Sequence, residues 1–371
     1  MRILDENTLD SRIEAVENPS AVIETLESNK IPFSTPNSSD YESLRLPYNV
    51  RLQPKPAIIV IPETPQQVSE AIRAAAQSGI KVQARSGGHS YASFSVGGQD
   101  GSMIIDLREF HDVEVLEQFT DPETGEVLKG VVAKVGGGVR LGNMARKIYE
   151  QGKRALPHGT GSAVGIGGHA TLGGYGYVSR AWGLALDRIV AMDVVLANGR
   201  IVHASAKENE DVFWAVRGAA HSFAVVLNFY MRTEEAPREV TYVEIKWDGM
   251  YDNKDRFADT FLGIQQLVTD GQVVDARLSF GVRIDGGSYK VTGGFIGSAE
   301  ELKKKVTKRT ILLKKSILTL TRSCHLCYRM CHLHRPRLLN LSNGLNSWRN
   351  VPTKAPWTSE LTSTSLSSER H

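Results

Sequence analysis

The sequence predicts an α+β fold: a mixed body in two parts, followed by an incomplete antiparallel sheet. Three observations carry this. Residues 56–115 alternate strand, helix and strand. Residues 128–233 are mostly β-patterned around one helix. From Thr241 onward, long apolar alternations of period two take over.

The elements follow in order. Asp10 to Leu26 reads as a partly amphipathic entry helix, followed by a Ser/Pro/Asn loop. Ala57–Ile61 is a strand. Thr64-Pro65 opens a helix through Val68–Ser78, with proline in its first turn. Lys81–Arg85 and Met103–Leu107 are further strands of this small α/β unit. Val131–Val135, a helix over Arg140–Gln151 and the strand Val190–Leu196 come next. Asn198-Gly199 is a hairpin signal, with Ile201–Ala204 returning. Asp211–Gly218 suits a short amphipathic helix ending on a glycine cap. Val225–Arg232 is a strand leading to the exit Glu234–Pro237. Tyr242–Trp247, Ala276–Ile284 and Ser288–Ile296 are long strands, the last two joined by Gly286-Gly287, with Asp255–Val268 a helix over them. No repeat is visible. The expected division is an arm over 1–50, a body over 51–237, a partial sheet domain over 238–305 and a basic tail over 306–371.

The hydrophobic content of 41% and charged content of 23% place the chain among ordinary globular proteins. No apolar run approaches a membrane helix. Met1–Asn7 lacks the apolar core of a signal peptide. The net charge of +3 hides two regions of opposite character. Residues 1–300 hold 30 Lys/Arg against 38 Asp/Glu, and residues 301–371 hold 14 against 3. The tail holds all three cysteines (Cys324, Cys327, Cys331) and, of the glycines, Gly344 alone. No strand or helix period fits beyond Lys303–Leu320, so disorder is expected. Cys324 to His334 offers thiols and imidazoles for zinc, but without two ligand pairs on a folded spacer. Basic charge could meet nucleic acid. The expectation is neither metal nor nucleic acid.

Two glycine-rich segments carry the chemistry. Arg85-Ser86-Gly87-Gly88-His89-Ser90-Tyr91 follows an apolar run (Ile80 to Ala84). Glycines allow positive φ and close approach to a ligand. Successive N–H groups in such a turn converge on an anion, such as a pyrophosphate. His89 would then aim a nucleophilic imidazole at whatever that anion anchors. The alternative is a tight turn with an exposed histidine. Roughly seventy residues on, Leu156 to His169 runs into Leu172-Gly173-Gly174-Tyr175-Gly176-Tyr177.

Tyr48-Asn49-Val50-Arg51-Leu52, the Ile58–Pro62 strand before Thr64-Pro65, the Arg85–Ser90 loop, the Gly159–Tyr177 block and Asn209–Gly218 together resemble a known family. In order and spacing they are similar to the flavin-binding half of the vanillyl-alcohol-oxidase superfamily, the PCMH-type FAD domain. Within it they look most like the berberine-bridge-enzyme-like oxidases, especially the fungal oligosaccharide oxidases. The resemblance covers about residues 40 to 300. It implies a two-subdomain PCMH-type FAD-binding fold followed by an incomplete antiparallel-sheet substrate domain, with FAD as cofactor. It implies that Arg85, Ser86, Gly87, Gly88, His89 and Ser90 hold the pyrophosphate through main-chain N–H groups. His89 Nδ1 would bond the flavin 8α-methyl carbon. Thr160, Gly161, Gly165, Gly168 and His169 would run along the flavin edge, completed by Gly173, Gly174 and Gly176. Ile201 and Val202 would meet the adenine end. His169 equally suits a loop-orienting role without chemistry, and Tyr175 and Tyr177 suit packing.

The implied reaction is hydride abstraction from an oligosaccharide anomeric C–H, giving a lactone, with O2 reoxidising the flavin and yielding hydrogen peroxide. Alcohols, alkaloids or other secondary metabolites remain alternatives, as does a non-catalytic FAD-binding fragment. The expected partners are a small-molecule substrate and O2, without nucleic acid or membrane, acting on a monomer. The relatives are usually secreted, so the chain either stays inside or lacks a first exon. Gly161 stands where many relatives carry a cysteine linked to flavin C6, so no cysteinyl link is expected. Ala220, His221 and Ala224 stand where relatives often have glycine or another small residue. No segment matches the family's base tyrosine. Tyr328 is the one tyrosine after Tyr289, and its Cys/His/Arg surroundings differ from the motif. No catalytic residue is therefore assigned. The chain is expected to be truncated or frameshifted after about Val306, with doubtful activity.

Overall fold

The computed structural model describes residues 18–247, 252–271, 275–285, 288–307, 317–323 and 339–340. The helix expected from Asp10 is described from α1 (Pro19–Ser28). A first sheet follows, with strands β1 (Phe33–Ser34), β2 (Ile58–Val60), β3 (Val82–Arg85) and β4 (Met103–Asp106) in the order β1-β2-β4-β3. β2, β4 and β3 are parallel and β1 is antiparallel. Parallel neighbours need a crossover, and α2 (Pro65–Gln77) supplies the one between β2 and β3. Both helices begin at a proline behind a capping side chain: Asn18 accepts the Ala21 N–H and Thr64 that of Gln67.

A second sheet is antiparallel, in the order β5-β6-β10-β8-β9. Its strands are β5 (Val113–Thr120), β6 (Val127–Gly136), β8 (Ile189–Leu196), β9 (Ile201–Ser205) and β10 (Ala224–Arg232). The sequence reading has no β5. In that edge strand only Val113 is buried, so its apolar signal is weak. One face packs on α3 (Leu141–Gly152), α4 (Ile166–Thr171) and α5 (Glu210–Phe223). Val195, Val225 and Leu227 instead join the core of the first sheet. β10 thus feeds both cores, since Val226, Phe229 and Met231 belong to the other one. A register shift between Val226 and Asn228 re-phases its alternation. Small strands β7 (Arg154–Ala155) and β11 (Glu234–Glu235) pair beside this body.

The third sheet contains β12 (Val240–Trp247), β13 (Leu278–Asp285), β14 (Ser288–Ile296), β15 (Ile317–Ser323) and β16 (Leu339–Asn340), in the order β13-β14-β12-β15-β16. Val243, Leu278, Tyr289, Val291 and Phe295 pack beneath α6 (Lys254–Thr269) and α7 (Ala299–Thr307) through Phe257, Ile264 and Leu302. β15 lies within the expected basic tail. It pairs with β12 from Val240↔Ser323 to Lys246↔Ile317. Ile317-Leu318-Thr319-Leu320-Thr321 does alternate with period two, but basic charge and missing glycine on either side mask it. The Gly286-Gly287 turn, Tyr328 and the three cysteines lie outside the described residues. Among the described residues no helix is long and apolar enough to cross a membrane.

Candidate functional site

β3 delivers Arg85 to the carboxyl edge of the parallel strands, where open α/β sheets place their ligands. The side chain itself is buried. Its Nε and Nη2 donate to Asp106 Oδ2 at 2.9 and 2.5 Å, and Nη1 donates to the Leu44 carbonyl at 2.6 Å. Arg108 reaches the same Asp106 oxygen at 2.6 Å. Burial raises the Asp106 pKa, but the Arg108 hydrogen bond and the charges of Arg85 and Arg108 outweigh it, so the net shift is downward. Arg85 therefore anchors the loop that follows and presents no free charge.

That loop meets the second glycine-rich segment directly. Ser86 Oγ donates to the Gly137 carbonyl at 2.6 Å and accepts the Gly167 N–H at 3.2 Å. Gly87 lies backbone to backbone with Gly165: a Cβ on either would sit 2.0 Å from the other's nitrogen. Arg140 bridges both segments, donating to the Gly87 carbonyl and, at 2.8 Å, to that of Ala163. Gly88 turns with φ +77°, as only glycine does without strain. His89 then stacks on Tyr48, ring centres 4.4 Å apart, and Tyr91 packs on the same ring at 5.7 Å. Asn49 Nδ2 holds the Tyr91 carbonyl at 2.6 Å, so the Tyr48–Leu52 motif straps the histidine loop. Ser90 Oγ accepts the Phe94 N–H at 3.3 Å. Partial burial, then the Arg140 charge, lower the His89 pKa. Its imidazole is neutral at neutral pH and keeps a nitrogen lone pair.

Two histidines clamp Gly159. His169 Nε2 accepts its N–H at 2.9 Å, and the His158 Nδ1–H donates to its carbonyl at 2.6 Å. Burial, then neighbouring His158, lower the His169 pKa to about 4. His169 thus orients the loop as a neutral acceptor. Thr160 and Gly161 lie exposed beyond the clamp. Gly173 and Gly174 accept the N–H groups of Leu186 and Ala185 at 3.0 and 3.1 Å, which directs them to the 184–188 turn.

A trough runs from the glycine junction along β3. It consists of two cavities of about 80 and 120 Å³ that share Gln83, Ala84, His221 and Ala224. The first is lined by Ser86, Gly167, Gly168 and Ala220, and the second reaches Val195, Ala197 and Phe223. Beside Gly168 there is open space where a Cβ would sit. One wall is the end of α5, which breaks at Arg217–Ala219 with Gly218 at φ +150°. The structure therefore brings Ser86, Gly87, Gly165, Gly168, Ala220, His221 and Ala224 together. Ile201 and Val202 sit on edge strand β9, opposite Val195 and Val194, one strand beyond the lining. Gln83, Ala84 and Phe223 were not singled out in the sequence. Their signal was position alone, just before the glycine loop and just after the α5 break. Each cavity is below the roughly 300 Å³ of a small-molecule site. A dinucleotide would span the whole trough and its open mouth. The donor set suits one: peptide N–H groups and a serine, with Gly167, Gly168, Ala84, Ala220 and Ala224 leaving room among larger apolar side chains.

The third sheet turns a polar face toward this block. Tyr177 OH meets Thr292 Oγ1 at 2.7 Å. Lys290 Nζ pairs with Glu244 at 2.9 Å, and Tyr242 OH donates to Glu244 at 3.4 Å. Burial, then the Glu244 charge, raise the Tyr242 pKa, so this phenol is a donor at neutral pH and no base.

Comparison with known proteins gives a consistent result. The FAD binding domain family matches residues 56–205. Xylooligosaccharide oxidase of Thermothelomyces thermophilus is 37% identical over 299 residues, covering 80% of this chain and 57% of its own length. Chitooligosaccharide oxidase of Gibberella zeae is 37% identical over 292 residues, covering 76% and 54%. The chain thus spans little more than half the length of these curated relatives. Among solved structures, the glucooligosaccharide oxidase from Acremonium strictum with its 6-S-cysteinyl, 8α-N1-histidyl FAD superposes with a TM-score of 0.72 at 31% identity, covering 82% of this chain and 61% of that one.

Proposed function

From the premise that this chain belongs, over residues 56–205, to the FAD binding domain family, we propose that it serves a flavin-dependent oxidase acting on an oligosaccharide. The observation that carries this reading is the backbone contact of Gly87 with Gly165 at the end of β3. It joins the two glycine-rich segments into one site at the head of the trough. FAD, when bound, supplies the redox chemistry by taking up the hydrogen removed from the substrate carbon.

The chain's own residues have separate tasks. Main-chain N–H groups of the 86–90 loop hold the pyrophosphate. Gly168, Ala220 and Ala224 leave room in the trough. His89, kept neutral by partial burial and by Arg140, is the attachment point on the flavin 8α carbon. The link is single, because Gly161 offers no thiol. The polar face of the third sheet, with Tyr242, Glu244 and Thr292, binds sugar hydroxyls, with O2 as the final acceptor.

Anaerobic mixing of FAD-loaded protein with xylo-, cello- or chito-oligosaccharides tests the substrate class in a single turnover. Bleaching of the visible flavin absorbance by one of these sugars is expected. Bleaching by aryl or alkyl alcohols alone, with the sugars inert, would replace the carbohydrate reading.

A further inference from the structure

We infer a second ligand site, for a neutral oligosaccharide, at the opposite end of α5 from the trough. A cavity of about 710 Å³ opens there, between the turn after β5, the residues before β8 and the first turns of α5. That volume lies within the range of small-molecule sites. None of its lining residues lines the trough.

Two observations point to a ligand. Arg217 and Arg232 both line the cavity, and the Nε–H of each is buried without a hydrogen-bond partner. Buried donors are normally satisfied, and two residues with unsatisfied guanidinium donors in one cavity wall single it out for an acceptor-rich occupant. The second observation is Trp214 in the lining, 77% exposed although its helix neighbour Phe213 is buried. An indole held at a cavity mouth gives a flat apolar face with a polar edge. The C–H face of a pyranose matches such a surface.

The charges choose among occupants. Arg232 is held by Asp121 and Arg188 by Glu234, while Arg217 lies over the Phe213 ring at 4.3 Å. Glu123 and Glu210 add exposed carboxylates to the lining. A phosphate or carboxylate ligand would meet those acids. A sugar hydroxyl accepts from a guanidinium and donates to a carboxylate, so it can satisfy both. The site would retain a long glycan beside the enzyme, independent of flavin chemistry.

The test is calorimetric titration of the FAD-loaded 371-residue chain, whose trough is already filled, with xylotriose, and with ADP as the anionic probe. Saturable xylotriose binding is expected. Trp214→Ala should weaken it about tenfold, the scale of one lost stacking contact, and Trp214→Tyr should restore most of it. Arg217→Gln should weaken it without touching the aromatic face. Glu244→Gln, on the sugar face of the third sheet, should leave the Trp214-dependent component unchanged. Three results would overturn the inference: no saturable binding to the FAD-loaded protein, tighter binding of ADP than of xylotriose, or binding lost in Glu244→Gln but kept in Trp214→Ala.

Discussion

The glycine junction and the third sheet build function in opposite ways. At the junction, Gly87 and Gly165 touch through backbone alone, Ser86 and Arg140 fix main chain, and Arg85 ties Asp106 to the Leu44 carbonyl. On the third sheet, Tyr242, Glu244, Lys290 and Thr292 present side chains from regular strands. A main-chain site tolerates almost no substitution, because added atoms have nowhere to go. A side-chain site on a rigid sheet can change its residues and keep its fold. This contrast fits a cofactor that stays the same while the sugar differs between relatives.

The contrast can be broken most severely at Arg85. Arg85→Ala leaves Asp106 buried beside Arg108 alone, and losing one partner of a buried pair costs about 3–5 kcal/mol. Urea unfolding should show that loss together with loss of FAD binding. A variant as stable as the wild type would remove Arg85 as the anchor.

Acid should act next, through the Gly159 clamp. The folded-state pKa of His169 lies near 4 against an ordinary 6.5. Between those values the unfolded chain takes up a proton that the folded chain refuses. The stability is therefore intact above pH 6.5 and is lost as pH falls toward 4, by roughly 3 kcal/mol once fully developed. His89 and His158 shift in the same direction. Unfolding free energies measured from pH 7 to 4 should fall less steeply in His169→Gln. An unchanged slope would exclude His169 as the source.

Gly165→Ala sharpens the comparison. Its methyl group would meet Gly87 main chain, and forced overpacking costs typically about 1–3 kcal/mol. FAD content should fall with it. On the third sheet, Thr292→Val removes one hydrogen bond to Tyr177, worth about 0.5–1.5 kcal/mol. The same denaturation experiment should register that as the smallest change, with FAD content preserved. A reversal of these last two effects would invert the contrast.

The same contrast explains what the sequence disclosed. The junction was legible because positive φ at Gly88 and close approach at Gly87 and Gly165 demand glycine, and a lone histidine beside such a turn stands out. Strands β2, β3, β4, β8, β10 and β14 were legible from period and turn chemistry. The trough's far end was not. Ala197, Val225 and Phe223 reach it through the packing of β8 and β10 on the first sheet, and no motif marks these three. β15 was hidden for a related reason. Its alternation is short, and only pairing with β12 makes it a strand.

The attachment of flavin to His89 is the central claim, and one measurement addresses it. Wild-type protein loaded with FAD is precipitated with acid, and the pellet and supernatant are read for flavin absorbance. The account predicts yellow pellets from the wild type and colourless ones from His89→Ala. It also predicts pellets as yellow as wild type from Gly161→Ala, since no thiol there carries a second bond. Full release of flavin from the wild type, after demonstrated binding to the native protein, would contradict it.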